Sequence, residues 1–178
     1  MPDDSDPAAA VSAAKADVAA CQKAADAAKD RCLHAVADGL RARIDEIGKR
    51  VAKEQPDVAL ALGRSGIEDL RADLADVADA MAVDLIDARD RITWTNNNGD
   101  AVHNSLFPYL NGKRMRPIST ALKERGFDTS NVFLPQSLYW GWKDEELSEA
   151  LTSLESAGAM LKHATEAQKE QSVDDLWD

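Results

Sequence analysis

The chain has 178 residues, of which 44% are hydrophobic and 30% charged, and its formal net charge is −11 at pH 7. This length suits one domain with a real core, and the hydrophobic fraction excludes a wholly disordered chain. The negative charge argues against direct binding to nucleic acid or to anionic lipid, and no apolar run reaches the roughly 20 residues that a bilayer span requires.

Residues 8–54 are predicted to form one long helix. Its first apolar residues recur at alternating intervals of three and four, which is typical of a coiled-coil seam, and they are Val11, Ala14, Val18, Cys21, Ala25 and Ala28. From Ala28 to Ile44 the interval becomes four, so the apolar stripe rotates by about 160° around the helix. We therefore expect this helix to pack against different partners at its two ends.

A second helix is predicted over residues 65–94. Pro56 ends the first helix, and residues 55–65 form a connector with at most a helical turn. Ser65 and Glu68 have the spacing of a capping box, and apolar residues then keep the seam rhythm as far as Ile92.

The middle of the chain, residues 95–142, is rich in turn-forming residues and predicts a small irregular head. One short helix is expected over 117–125, with Pro117 in its first turn and Gly126 closing it. A third long helix is predicted over 144–171, and the acidic tail after it is expected to fray. Gly158 in its seam indicates a close helix crossing or a weak point.

Aromatic residues and charge both separate this head from its flanks. Eight of the nine aromatic residues lie in 94–142, where the net charge is +2. The flanking residues 1–93 and 143–178 carry net charges of −6 and −7. A basic, aromatic head thus lies between two acidic, aliphatic flanks.

Three aromatic residues crowd together at Tyr139, Trp140 and Trp142. Exposed rings at this spacing are good anchors for a protein partner. Alternatively, the same rings seal the end of a helical bundle whose flanks supply no aromatic side chains. We favour the seal, and we keep the three residues as candidate partner-binding residues.

A basic cluster, Lys113, Arg114 and Arg116, precedes the short helix. Guanidinium groups there are suited to a phosphate or an acidic peptide. Pairing with the abundant carboxylates of the chain explains the cluster without a ligand, and we favour that interpretation. The cluster is a second candidate partner-binding site.

Catalytic and metal motifs are weak. Cys21, Cys32 and His34 do not have a recognised zinc spacing, and the two cysteines are too far apart along one helix to form a disulfide with each other. His103 lies in a polar segment and is the best candidate for a general base. We predict no cofactor, no metal and no catalytic residue, with an enzyme whose site lies in the head as a remaining alternative.

The fold prediction is an all-α, elongated antiparallel helical hairpin or bundle of three long helices. It has a hairpin in 1–94, the head in 95–142 and a packed helix in 143–178. The leading functional hypothesis is a non-catalytic protein–protein interaction module of the cytoplasm, which forms a homodimer or a heteromeric helical assembly through residues 8–36. The runner-up is an acidic inhibitor that mimics nucleic acid in another protein's binding groove.

Overall fold

The computed structural model describes residues 6–96, 101–110, 116–130 and 143–177. These residues form five α-helices and one short 3₁₀ helix. The α-helices are α1 (Pro7–Glu54), α2 (Pro56–Asp87), α3 (Ala101–Leu110), α4 (Arg116–Glu124) and α5 (Glu145–Trp177), and the 3₁₀ helix is Arg89–Arg91. The described chain contains no strand, which confirms the all-α prediction.

Helix α1 is one continuous helix of 48 residues. At its start the Asp6 carboxylate accepts a hydrogen bond from the Ala8 amide, and Pro7 occupies a first-turn position where its missing N–H costs nothing. Pro56 prevents α1 from continuing because proline cannot donate to the helical ladder. The predicted bounds of 8–54 are confirmed to within one residue.

Helix α2 begins earlier than predicted. The expected connector 55–65 is already helical from Pro56, and Gly63 breaks the helix with a φ of 66°. Only glycine adopts this left-handed conformation without a steric penalty. The prediction of a helix start at Ser65 was therefore wrong, although the kink lies two residues away. The predicted end near residue 94 was also too late, because α2 stops at Asp87.

Helices α1 and α2 form the predicted antiparallel hairpin. Ion pairs across it join Asp45 to Arg71 and Arg41 to Asp79, so positions that rise along α1 fall along α2. The core between them is built from aliphatic side chains with almost no exposure, namely Leu40, Ile44, Val51, Leu70, Leu74 and Leu85. Gly48 lets the helices approach closely here, since a Cβ at this position would lie 2.7 Å from Leu74 Cδ1.

The head is more helical than predicted: α3 packs against α5, and α4 packs against α2. Helix α3 occupies residues predicted to be irregular, and it buries Val102, Leu106 and Leu110 at helical spacing. The short helix was predicted well, because α4 ends at Glu124 and Gly126 follows with a φ of 89°.

Contacts at both ends of α2 fix the course of the head. The Tyr109 hydroxyl donates to the Asp84 carbonyl oxygen, and Arg125 pairs with Asp73. Beyond α4, the Asp128 backbone exchanges two hydrogen bonds with the Gln55 side chain at the tip of the hairpin. The described part of the head therefore reaches the hairpin tip at Asp128, and the expectation that the head closes one end of the molecule stays a prediction, because residues 131–142 lie outside the described chain.

Helix α5 starts beside the middle of α1. Its first turn is capped by Asp144, whose carboxylate accepts the Leu147 amide at 2.9 Å, and Glu146 pairs with Arg31. The 3₁₀ helix meets α1 at the same level, since the Arg89 guanidinium donates to the Asp30 carboxylate. The helix continues to Trp177, so the predicted frayed tail was wrong.

Two regions result from this arrangement. We call the first the bundle, comprising α1 from residue 31 to its end together with α2, α3 and α4. We call the second the arm, comprising residues 7–30 of α1 and 149–177 of α5. Because α2 ends opposite residue 30, the earlier residues of α1 pack against α5. The predicted change of partner along α1 is thus observed, with α2 at one end and α5 at the other.

Candidate functional site

The predicted aromatic site lies outside the described residues. Tyr139, Trp140 and Trp142 are all in the undescribed range 131–142. The structure therefore leaves the choice between a docking surface and a seal as a prediction. The described head aromatics nevertheless face inward: Phe127 is buried, and Trp94 and Tyr109 are half-buried against the core.

The predicted basic cluster is only partly described. Lys113 and Arg114 lie in the undescribed range 111–115, whereas Arg116 is exposed at the start of α4. Arg116 lines the edge of a groove together with Pro117 and Glu124. This position is compatible with both interpretations of the cluster, so its role stays a prediction.

The arm carries the predicted N-terminal seam in a half-covered state. Val11, Ala25 and Ala28 are buried, whereas Val18 and Cys21 remain partly exposed. The seam residues of α5 behave in the same way. Among those whose burial is described, only Ala157 is buried beyond the first turn, and three leucines stay partly exposed, namely Leu151, Leu154 and Leu161. A two-helix pair shields its seam from one side only, so apolar surface persists along both edges.

Not all of the predicted interface 8–36 is accessible. Cys32, Leu33 and Val36 are each at most 2% exposed because the bundle covers them. The accessible seam residues of this stretch, such as Val18 and Cys21, therefore lie in the arm. Beyond the start of α1, the last turns of α5 add two exposed apolar side chains, Val173 and Leu176, the latter 85% exposed.

A row of carboxylates runs along one face of α2. Asp69, Asp73, Asp76, Asp84 and Asp87 fall within about 80° of one another at 100° per residue, over about 27 Å. Asp73 pairs with Arg125. The spacing was visible in the sequence, but acidic residues are so frequent in this chain that they read as a general solvated surface.

A groove of about 610 Å³ follows this row between α2 and the head helices. Asp76 and Asp84 lie on its α2 side, and its apolar lining consists of Val77, Ala80, Met81, Tyr109, Leu110 and Pro117. It continues along α4 past Val77 and Pro117 towards Thr120 and Glu124. Sequence reasoning missed this groove because it depends on the packing of α3 and α4 against α2.

The titratable side chains offer little chemistry. Burial, followed by the neighbouring Asp144 carboxylate, raises the pKa of the Cys32 thiol to about 12, which keeps it protonated and unreactive at neutral pH. The His103 side chain is not among those described, and His163 is exposed, 4.0 Å from Glu166. Among the described residues no group of three His, Cys, Asp or Glu side chains is arranged to hold a metal ion.

The comparisons with other proteins give no relative. No protein-family model, no curated protein and no solved structure matches the chain. A search of the described helices for a stretch both long and apolar enough to cross a bilayer finds none. Function is therefore inferred from the geometry of the arm and the grooves alone.

Proposed function

We propose that this chain is a non-catalytic helical interaction module, an adaptor, regulator or assembly subunit of the cytoplasm, that binds protein partners through its arm. The observation that carries the proposal is the half-covered seam: Val18 and Cys21 on α1, and Leu154 and Leu161 on α5, are apolar seam residues that stay partly exposed. Adding one or two further helices buries such a seam, as in three- and four-helix bundles.

The occupant of the seam is either a second copy of the chain or a helix of another protein. Small side chains line the α1 side of the arm, so a partner helix can approach closely. The exposed Val173 and Leu176 at the far end of α5 extend the apolar surface that such a partner would cover.

The first test measures the molecular mass of the chain in solution. Light scattering of the purified full chain over a range of concentrations reports a homodimer directly. If the chain is a monomer throughout, affinity purification from the native cell followed by mass spectrometry identifies a heteromeric partner.

The second test places a charge in the seam. Val18→Glu is expected to abolish the dimer or the partner complex, whereas Ala16→Glu, on the exposed back of α1, leaves it intact. Circular dichroism checks that the arm stays helical in both variants. A Val18→Glu chain that remains helical and still assembles would overturn the arm as the binding surface.

A second candidate function is the acidic inhibitor that occupies a nucleic-acid-binding groove. The carboxylate row on α2 favours it, because charges in line on one exposed face are what a mimic of a phosphate backbone needs. The discriminating measurement is the salt dependence of binding. Affinity that falls steeply with salt supports the inhibitor, and affinity that persists in salt supports apolar contact through the arm.

A further inference from the structure

Two grooves among the described residues of the bundle differ in how many of their charged side chains form ion pairs. The groove on the open side of the hairpin, between α1 and α2, is crossed by the ion pairs Asp45–Arg71 and Arg41–Asp79. In the groove between α2 and α4, the Asp76 and Asp84 side chains have no ion-pair partner in the described part of the chain. The first groove is therefore electrostatically closed, whereas the second carries unpaired negative charge at Asp76 and Asp84, with Arg116 at the edge of its continuation along α4.

The second groove also has an apolar floor. Met81 and Leu110 are nearly fully buried beneath it, and Val77 is half-buried along its middle. Ala80 is exposed at its centre, where its small side chain leaves room for a larger one from outside. Next to it, Val83 is 60% exposed, which extends the apolar surface towards the end of α2.

We propose that this groove binds a short basic amphipathic segment of a partner protein. Apolar side chains of the segment pack on Val77, Ala80 and Pro117, and its lysine or arginine side chains pair with Asp76 and Asp84. This inference rests on the proposed interaction function and gives it a partner chemistry. It assigns the Asp76 and Asp84 carboxylates to a protein ligand that is both positively charged and hydrophobic.

The dimensions suit a helical segment. From Asp73 to Asp84 the α2 side of the groove extends over about 16 Å, or three helical turns. A partner helix of that length presents apolar residues at intervals of three and four to the floor, with basic residues on both sides. The resulting contact is small, so micromolar affinity with a marked salt dependence is expected.

The test uses the full chain and a fluorescently labelled peptide of Lys and Leu, patterned as an amphipathic helix of about four turns. Two comparison peptides isolate the requirements: one replaces each Lys by Glu, and the other replaces each Leu by Ser. Fluorescence anisotropy should show saturable binding of the Lys/Leu peptide alone. Equal binding of either comparison peptide would overturn the proposal.

Charge-neutralising variants locate the binding on the molecule. The double variant Asp76→Asn, Asp84→Asn should weaken binding by about tenfold. The matched control is Glu155→Gln, Glu170→Gln, which removes the same charge from exposed positions on the arm and should leave the affinity unchanged. Wild-type affinity in the groove variant, or an equal loss in the control, would overturn the proposal.

A variant of the groove floor gives an independent readout. Ala80→Lys keeps a good helix former at an exposed position and places a cation in the groove, so it should abolish binding of the basic peptide. Ala42→Lys, at an exposed position of α1 that lines the groove between α1 and α2, is the control, because it lies on a different helix from Asp76 and Asp84. If peptide binding fails while Val18→Glu still disrupts assembly, the groove is refuted and the arm stands. The reverse pattern refutes the arm alone.

Discussion

The bundle and the arm share helix α1 but differ in how much of their apolar surface is buried. In the bundle, α1 lies against α2, and one continuous cluster of buried side chains joins α1, α2, α3 and α4; the cluster also includes Ala28 of the arm and Leu147 in the first turn of α5. In the arm, the same helix lies along α5, with Arg89 of the 3₁₀ helix in contact at Asp30, and the buried residues Val11, Ala25 and Ala157 lie outside that cluster. The bundle thus encloses a core of large side chains, although Leu60 and Val83 on α2 stay exposed, whereas the arm buries few side chains.

Side-chain size follows this division. The bundle portion of α1 contributes Leu33, Leu40 and Ile44, which need a wide core with several neighbours. The arm portion contributes mostly alanine, which buries little area per residue. The comparison indicates that, under the proposed function, the arm is the region that a partner would stabilise most.

The largest expected effect comes from truncating one leucine in each region. Leu85→Ala, in the bundle, should lower the free energy of unfolding by about 3 kcal/mol, because it empties a fully enclosed site. Leu154→Ala, in the arm, should cost about 1 kcal/mol, since water already reaches that side chain. Urea denaturation measures both. Equal costs would contradict the division into an enclosed and a half-open region.

Trp140→Ala tests whether the head completes the bundle. If the ring seals the core, as we expect, the variant loses about 2 kcal/mol and its melting temperature falls by several degrees. Differential scanning calorimetry measures the change. Unchanged stability combined with loss of a bound partner would instead assign the ring to a docking surface.

The two cysteines report on the junction between bundle and arm, through the pH dependence of stability and through thiol reactivity. Burial raises the pKa of Cys32 from its ordinary 9.0 to about 12, so the unfolded chain loses this proton first as the pH rises. Its contribution to stability is therefore complete below pH 9 and is lost towards pH 12, at roughly 1 kcal/mol per pH unit or less.

Unfolding of the wild type and of Cys32→Ala at several pH values measures this contribution, and the variant should show the shallower decline. Thiol labelling at pH 8 is a second readout, in which the partly exposed Cys21 should react well before Cys32. Equal labelling of both thiols would mean that the junction between bundle and arm opens readily.

Replacing a glycine in each region by alanine should change stability by a smaller amount than the substitutions above. Gly158→Ala should stabilise the arm by about 1 kcal/mol, because the new methyl group meets open space and alanine favours the helix. This structure decides between the two sequence interpretations of Gly158 in favour of a weak point. Gly63→Ala is the opposite control and should destabilise, because the φ of 66° is strained for any L side chain. Thermal melts of both variants provide the comparison.

The smallest effect is expected from the basic cluster. Changing Lys113, Arg114 and Arg116 together to alanine should alter stability by less than about 0.5 kcal/mol, as surface charges usually do. Chemical denaturation checks this value. A variant that fails to fold would show that the cluster holds the head to the acidic face of α2.

Much of the fold was predictable because it depends on local signals. The rotation of the apolar stripe along α1 predicts the change of packing partner along that helix. Pro56 predicts the end of α1, and Gly126 predicts the end of α4. The start of α2 at Pro56 was missed because a helical segment before the Gly63 kink is too short for periodicity to reveal. Helix α3 was missed for the same reason, since its ten residues follow a run of turn formers.

The candidate sites were less predictable because they depend on contacts between distant residues. The N-terminal seam is accessible only up to the point where α2 ends and α5 begins beside α1. The Arg89–Asp30 and Arg31–Glu146 contacts fix that point. The groove requires α3 and α4 to turn back along α2. The aspartate row itself follows from helical spacing, yet its apolar companion surface becomes apparent only in three dimensions.

The continuity of α1 has a mechanical consequence. A single helix of 48 residues, about 72 Å long, joins the tip of the arm to the floor of the bundle. Because the helix is continuous, a force applied to the end of the arm is transmitted along α1 to its residues in the bundle. Binding of a partner at the end of the arm is therefore mechanically coupled to the hairpin.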